Sequence, residues 1–215
     1  MKLYLHPLSS YCMKALIALY EADIPFEPVH VNLGDETGEA FRKLWPIGKF
    51  PMLEDKGRLI PESSILIDYL AQHYPSARRL LPVDPDTALA VRAADRFYDL
   101  HLHQHMQFVV GDRIRPADKR DPYGVEQGWG KIRTALSMID KDMAGRIWAV
   151  GDDFTLADCA AAPPLFYINE DRPLAQSNKN AAAYLERLKQ RPSFARALKE
   201  AEPFMQYFPR EKASA

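Results

Sequence analysis

One stretch of the chain, residues 48–64, decides the fold, and it reads Gly-Lys-Phe-Pro-Met-Leu-Glu-Asp-Lys-Gly-Arg-Leu-Ile-Pro-Glu-Ser-Ser. Residues 51–55 and 58–61 are short strand-like runs, and the tight Asp55-Lys56-Gly57 turn between them is typical of a β-hairpin. Glu62-Ser63-Ser64 then resembles a helix start, because apolar residues follow it at helical spacing. The stretch predicts a β-hairpin followed at once by a helix.

The residues before this stretch predict two further strands and two further helices. Residues 2–6 alternate as a strand does, two serines mark a loop, and good helix formers extend over 12–22. Residues 26–31 form a second strand-like run, and 39–44 form a short helix. The first 75 residues are therefore predicted to follow the order βαβαββα.

The rest of the chain predicts helices only. Residues 76–87 are linker-like, since they contain two prolines and two aspartates, and no alternating strand pattern follows them. Helices are predicted over 88–114, 124–145, 155–169, 179–191 and 193–202. The predicted organisation is an α/β plus all-α chain, with an α/β domain at 1–77, a linker at 78–87 and an all-helical domain at 88–215.

The composition excludes several classes of protein. Among 215 residues, 28 Lys and Arg face 29 Asp and Glu, so the net charge of -1 gives no basic field for nucleic acid or an anionic membrane. No run of eighteen apolar residues occurs, and an early proline interrupts any signal-peptide core, so we expect a cytosolic protein. Cys12 and Cys159 lie far apart, with neither a disulfide pattern nor a metal-ligand spacing, which fits a reducing compartment.

Four local motifs lie along this predicted architecture. A serine loop, residues 9–19, runs into the first helix as Ser-Ser-Tyr-Cys-Met-Lys-Ala-Leu-Ile-Ala-Leu, and residues 48–53 read Gly-Lys-Phe-Pro-Met-Leu. Residues 61–64 read Pro-Glu-Ser-Ser, and residues 154–159 read Phe-Thr-Leu-Ala-Asp-Cys. With the order of elements, these motifs resemble the cytosolic glutathione S-transferase superfamily, in a serine-type form of unassigned class. The resemblance implies a thioredoxin-like N-terminal domain, an all-helical C-terminal domain and a homodimer.

The resemblance also implies an activity. The expected reaction joins the thiolate of glutathione, a co-substrate, to a small apolar electrophile, or uses the same thiol to reduce a peroxide. Two other functions stay open: a glutathione-dependent thiol–disulfide reductase, for which Cys12 or a loop serine would have to serve, and a non-catalytic glutathione-transferase-like binding protein.

Ser9 takes the catalytic position that the resemblance implies, with Ser10 and Cys12 as alternates. A hydroxyl group and the positive end of a helix both favour a thiolate, so the serine would hold glutathione in its ionised form and would not itself be the nucleophile. The plainer alternative for either serine is a helix N-cap. For Cys12 the plainer alternative is a small buried side chain with no part in the chemistry.

The glutathione-binding residues that the resemblance implies are Lys49, Phe50, Pro51, Glu62 and Ser63. A cis peptide bond before Pro51 would direct the Phe50 backbone towards the cysteinyl part of glutathione, as one strand pairs with another. Lys49 would meet the glycine carboxylate, unless it is simply a solvated lysine. Glu62 and Ser63, at a helix N-terminus, would bind the ammonium and carboxylate of the γ-glutamyl end, and their alternative is an ordinary capped helix start.

The histidines at 101, 103 and 105 suggest a metal site, but only His101 and His105 share a helical face and no matching ligand pair accompanies them. We therefore expect no metal. The resemblance instead implies that this helix borders the electrophile pocket, with Tyr98, His101, His105 and Met106 as its lining.

Thr155 and Asp158 match the superfamily's capping box, in which each side chain accepts a hydrogen bond from the other residue's backbone N–H. We expect this pair to be structural, with no part in the chemistry.

Overall fold

The computed structural model describes residues 1–210. Its sheet contains β1 (Lys2–Leu5), β2 (Glu27–His30), β3 (Met52–Asp55) and β4 (Arg58–Pro61), in the spatial order β2-β1-β3-β4. β1 and β2 are parallel, whereas β1–β3 and β3–β4 are antiparallel. Because a parallel pair needs a crossover, the helix after β1 packs across the sheet before the chain returns as β2.

The α-helices of the described residues alternate with these strands and then continue alone. They are α1 (Ser10–Glu21), α2 (Glu36–Leu44), α3 (Ser63–His73), α4 (Pro85–Phe97), α5 (Gln104–Arg113), α6 (Pro122–Asp142), α7 (Leu156–Asp171), α8 (Lys179–Lys189) and α9 (Pro192–Ala201). The predicted fold class, a βαβαββα unit followed by an all-helical part, is confirmed. Residues 211–215, the end of the predicted helical domain, lie outside the described residues.

Helix α4 begins three residues earlier than predicted. The side chain of Asp84 accepts a hydrogen bond from the backbone N–H of Thr87 at 2.8 Å, and Pro85 occupies the first helical position. A proline is favourable there because its missing N–H is not needed in the first turn. The helix start therefore lies inside the segment predicted as a linker.

Helix α1 lies at the centre of the molecule. Nine of its 12 residues are buried, because it packs on α3 in the first unit and on α7 and α9 in the helical part. One apolar core consequently extends from the sheet into the helical part.

A π-helical turn, Tyr98–His103, joins α4 to α5, where the sequence predicted one uninterrupted helix. Turns of this kind insert an extra residue into the helical repeat and occur frequently beside functional sites. The side chains after the turn are therefore rotated relative to a regular α-helix.

The capping box of α7 is confirmed. Asp158 is fully buried, and its carboxylate accepts from the backbone N–H groups of Thr155 and Ala149, each at 2.9 Å, and from the Tyr184 hydroxyl at 2.5 Å. Burial raises the pKa of Asp158 above its ordinary value, although these donors oppose the shift. The carboxylate thus ties the start of α7 to α8 and to the loop before α7.

No helix of the described residues combines the length and the apolar composition that crossing a membrane requires.

Candidate functional site

The residues predicted to bind glutathione surround one cavity of about 530 Å³. The cavity lies where the loop before α1, the turn before β3 and the start of α3 face the α4–α5 segment. Its lining includes Ser9, Lys49, Phe50, Pro51, Glu62 and Ser63. Three separate segments of sequence therefore meet at one place, and we call it the main cavity.

Ser9 is the N-cap of α1. Its Oγ accepts a hydrogen bond from the backbone N–H of Cys12 at 3.3 Å, so the capping alternative is observed. A hydroxyl has one donor besides its acceptor positions, so the capping bond leaves the Ser9 proton available to a group in the cavity. Capping and binding an anion are compatible for this residue.

The peptide bond between Phe50 and Pro51 is cis. β3 begins one residue later, at Met52, and no backbone hydrogen bond among the described residues uses Phe50. The N–H and C=O groups of Phe50 are therefore free to pair with an extended ligand, while its ring packs beside His6 at a centroid distance of 6.1 Å.

Glu62 holds an unusual backbone conformation, with φ 69° and ψ 119°, between β4 and α3. A side chain at positive φ is strained, and such residues are concentrated at functional sites. The Glu62 side chain is exposed and makes no capping bond to α3. The carboxylate is therefore available to a ligand ammonium, next to the free N–H groups at the start of α3, where Ser63 is buried.

The opposite wall of the main cavity comes from residues that the sequence reasoning missed. They are Arg96, Leu100, Gln104 and Gln107, with Asp99 and the nearby Tyr11 of α1. The first four are spaced by 4, 4 and 3 residues, which places them on one helical face. This periodicity was a usable signal, but it does not by itself say which face meets the first unit.

Three residues predicted for the electrophile pocket do not line the main cavity or the smaller cavity beside it: Tyr98, His101 and His105. Tyr98 is buried in the core, where burial and the Asp158 carboxylate raise its pKa. His101 is exposed and packs on Phe97, with ring centroids 5.5 Å apart. The structure therefore places these three side chains on other faces of the segment than the one that lines the two cavities.

Met106, the fourth residue predicted for the electrophile pocket, lines a cavity of about 240 Å³ that adjoins the main cavity. The two cavities share Ser9, Phe50 and Gln107. The remaining lining of this side cavity is mostly apolar and includes Met106, Val110, Tyr167 and Phe208. It therefore offers apolar surface next to the Ser9 hydroxyl.

Ser10 lies deeper than Ser9. It is 1% exposed, and its Oγ lies 2.6 Å from Nε2 of His103 and 2.7 Å from Nε2 of Gln107. His103 is itself fully buried and stacks on Tyr11, with centroids 3.7 Å apart. The alternate serine is thus part of a buried hydrogen-bonded group that reaches the side cavity.

Cys12 is fully buried on α1, and burial raises the pKa of its thiol to about 12. A thiol with such a pKa is protonated at neutral pH and is a poor nucleophile. The observed environment therefore matches the alternative of a small buried residue. Cys159 is buried too, and neither cysteine is in a disulfide.

A buried charge cluster supports the back of the main cavity. Nζ of Lys14, fully buried on α1, lies 2.5 Å from Asp95 Oδ1 and 2.9 Å from Asp99 Oδ2, and it also donates to Ser64 Oγ at 2.9 Å. Arg96 contacts both carboxylates from the cavity side. Two cations thus balance two carboxylates, which is how buried charges are tolerated.

The electrostatics of this cluster favour an ionised Asp99. Burial pushes its pKa up, but the nearby His103 ring and the charge and hydrogen bond of Lys14 outweigh that effect and hold the pKa below its ordinary value. The same burial lowers the pKa of His103, which is therefore a neutral imidazole at neutral pH.

A larger cavity of about 720 Å³ lies between β2, the end of α1 and α9, and it contains none of the predicted site residues.

Over residues 1–210, no group of three His, Cys, Asp or Glu side chains is arranged to hold a metal ion.

Comparison with known proteins gives the same assignment for both parts of the chain. The profile of the family "Glutathione S-transferase, N-terminal domain" matches residues 3–78, and that of "Glutathione S-transferase, C-terminal domain" matches residues 122–200. The glutathione S-transferase-like protein LUC7 of Fusarium sp is 33% identical over 71% of this chain and 69% of its own length. The glutathione S-transferase hmp2 of Hypomyces subiculosus is 37% identical over 75% of this chain and 79% of its own length.

The fold has close structural relatives as well. The crystal structure of a glutathione S-transferase from Methylobacillus flagellatus with glutathione bound superposes with a TM-score of 0.84, at 27% identity, over 91% of this chain and 98% of that one.

Proposed function

This chain belongs to the glutathione S-transferase superfamily, and on that premise we propose that it joins the glutathione thiolate to small apolar electrophiles, with Ser9 as the hydrogen-bond donor to the sulfur. Ser9 lowers the pKa of the thiol and remains unmodified. The protein provides binding, orientation and a stabilised anion.

One observation carries this proposal: a single cavity brings together Ser9, the Phe50 backbone and the exposed Glu62 carboxylate. Glutathione has an ammonium and a carboxylate at one end, a thiol in the middle and a second carboxylate at the other end. Glu62 and the start of α3 suit the first end, Phe50 and Ser9 the middle, and the exposed Lys49 the last.

Arg96 adds to this assignment. Its guanidinium is half exposed in the cavity wall and is held by Asp95 at 3.2 Å and by Ser64 at 2.7 Å. A guanidinium fixed in this way presents its remaining N–H groups to a carboxylate, so we assign Arg96 to the γ-glutamyl carboxylate.

The electrophile would occupy the side cavity. That cavity touches Ser9 and is bordered by Met106 and Tyr167, so an apolar molecule there lies beside the thiolate. Excluding water from this position keeps the anion reactive, since a desolvated thiolate is a stronger nucleophile.

The two alternative functions fit the observed site less well. A thiol–disulfide reductase that used Cys12 would need a reactive thiol there, whereas Cys12 is buried with its pKa raised to about 12. A non-catalytic binding protein would not need the Ser9 hydroxyl beside an apolar cavity.

We also propose a homodimer in the cytoplasm. Large apolar side chains are exposed near the α3–α4 face, namely Leu59, Ile65 and Leu89, with exposed fractions of 42%, 57% and 66%. Leu59 and Ile65 line one surface groove, and an exposed apolar patch is typical of a protein–protein interface. Light scattering should give twice the chain mass for the native protein and a single chain mass for Ile65→Glu, and a monomeric native protein would contradict the dimer.

The activity is tested by two measurements on the native protein, Ser9→Ala and a control, Ser177→Ala. Ser177 is exposed and lies away from both cavities. Calorimetry with glutathione should show similar affinity for all three, whereas thioether formation with an aryl halide should fall about 100-fold in Ser9→Ala only, the usual loss for one anion donor.

Two results would contradict the proposal in different ways. No heat of binding at millimolar glutathione would refute the transferase function. Binding with full activity in Ser9→Ala would keep the transferase and remove Ser9, leaving Ser10 or a backbone N–H as the sulfur's donor.

A further inference from the structure

Behind Ser9, a line of buried polar groups leads from the side cavity into the charge cluster. It runs from Ser10 Oγ to His103 Nε2 at 2.6 Å, and from His103 Nδ1 to Asp99 Oδ1 at 3.8 Å. His103 Nδ1 and Asp99 Oδ1 are buried, and neither has a hydrogen-bond partner among residues 1–210. The proposed function does not require Ser10 or His103.

The protons in this line can be assigned from charge. Asp99 is an ionised carboxylate, so the ring nitrogen that faces it, Nδ1, carries the imidazole proton and Nε2 is an acceptor. The Ser10 hydroxyl therefore donates to Nε2, and its oxygen accepts from Gln107 at 2.7 Å. One acceptor position remains on Ser10 Oγ, and Ser10 lines the side cavity next to Ser9.

We propose that Ser10 and His103 take up the proton that glutathione loses when its thiolate forms, with Asp99 stabilising the resulting imidazolium. This inference rests on the proposed function, because it concerns the thiol bound beside Ser9. It gives the two adjacent serines different tasks: Ser9 holds the anion, and Ser10 passes on the proton.

The step balances without any other reactant. The S–H bond breaks, and its proton goes to Ser10 Oγ while the Ser10 proton goes to His103 Nε2. The electron pair stays on sulfur as the thiolate. The products are a thiolate, an unchanged serine hydroxyl and an imidazolium whose Nδ1–H faces Asp99 Oδ1, and the 3.8 Å separation can shorten as that ion pair forms.

Burial explains why the proton stays inside. Releasing it to solvent would leave an added net negative charge in a partly desolvated site, whereas passing it to His103 creates a neutral pair of opposite charges. Burial lowers the proton affinity of the imidazole and Lys14 lowers it further, whereas Asp99 raises it, and the thiolate adds a second negative charge that raises it when the proton arrives. The other groups near His103 are Tyr11, stacked on its ring, and Arg96, which binds the far side of Asp99.

The test compares two counts at neutral pH. Ultraviolet absorption measures the thiolate formed when the protein binds glutathione, and a pH indicator in weak buffer measures the protons released to the medium. S-methylglutathione, which has no thiol proton, gives the background. We expect the ratio of thiol protons released to thiolates formed to be close to zero for the native protein.

A matched pair of variants sharpens the result. His103→Gln should form several-fold less thiolate at neutral pH, with a ratio close to one for the thiolate that remains. His101→Gln changes an exposed histidine on the same turn and should behave as the native protein does. Labelled-histidine NMR should show one imidazolium appear in the native protein with glutathione and none with S-methylglutathione.

The outcomes separate this inference from the proposed function. A ratio of one in the native protein, or glutathione bound there as the neutral thiol, would overturn the relay and leave the transferase function standing. Failure to bind glutathione at all would overturn both. Because the decisive ratio is measured on the native protein, the test stands even where His103→Gln does not fold.

Discussion

Replacing Glu62 with glycine or with alanine should weaken glutathione binding equally, but the two variants should differ in stability. Glu62→Gly removes both the side chain and the strain that φ 69° places on it, whereas Glu62→Ala removes the carboxylate and keeps the strain. Both variants should lose glutathione affinity to the same extent. Glu62→Gly should be more stable than Glu62→Ala.

The magnitudes follow from the geometry. A non-glycine residue at this φ costs about 1–3 kcal/mol, and the extra freedom of glycine in the unfolded chain takes back about 0.5–1 kcal/mol. With the middle of each range, Glu62→Gly should exceed Glu62→Ala by about 1 kcal/mol of unfolding free energy, or about 2–4 °C in Tm for a chain of 215 residues. Losing charge-assisted hydrogen bonds should raise the Kd for glutathione by roughly 10- to 150-fold in both.

Thermal unfolding without ligand and calorimetry with glutathione measure the two effects separately. Glu126, exposed within α6, provides the control, because its backbone is helical and glycine there should be less stable than alanine by about 1 kcal/mol. Equal stabilities for Glu62→Gly and Glu62→Ala would refute the strain argument. Native affinity in either Glu62 variant would refute the role of its carboxylate.

Three further predictions concern the buried polar groups. Asp158→Asn should lower the free energy of unfolding by about 2–5 kcal/mol, because the buried carboxylate accepts from two backbone N–H groups and the Tyr184 hydroxyl. Urea unfolding measures this loss, and the dependence of the unfolding free energy on urea concentration should stay unchanged. A loss below about 1 kcal/mol would contradict the prediction. Cys12 and Cys159 should react with a thiol reagent only after unfolding, because both are buried and the Cys12 pKa is about 12; one fast-reacting native thiol would be inconsistent with this. Burial lowers the pKa of His103, so at mildly acidic pH the unfolded chain binds a proton that the folded chain does not, and stability should fall as the pH drops below about 6.5. The Tm of His103→Gln should fall less steeply with decreasing pH than the Tm of the native protein. Parallel curves of Tm against pH for the two proteins would count against the argument.

The fold was largely predictable from sequence because its signals are local. The hairpin depends on a turn that contains Gly57 at φ 75°, and α7 begins at a capping box that four consecutive residues encode. Such signals act over a few residues and can be recognised one segment at a time. The start of α4 was misplaced only because its capping residue, Asp84, lies in a segment that resembles a linker.

The two walls of the main cavity differ in this respect. The first wall is formed by short motifs around Pro51 and Glu62, so residues that lie together in this wall are also close together in the sequence. The second depends on which face of the α4–α5 segment meets the first unit, and the π-helical turn at Tyr98–His103 changes that face. A helical period fixes which residues lie together, but only tertiary packing selects the side that is used.

Lys14 shows the same limit more sharply. In the sequence it is an ordinary helix former, yet its ammonium is fully buried against carboxylates 81 and 85 residues further along the chain. Local sequence cannot indicate such a position, since lysine is almost never buried without partners and the partners lie on another helix.

The position of Lys14 also affects how the chain is made. A ribosome synthesises α1 well before α4, so the lysine has no carboxylate partners until Asp95 and Asp99 have been added, and the faces that α7 and α9 cover stay open for longer still. A nascent chain ending near residue 77 would have to bury an uncompensated ammonium or leave α1 exposed to water. We expect such a chain to be sensitive to protease and bound by chaperones. The first unit has the outline of a complete domain, but we expect it to become stable only when the later helices have been synthesised.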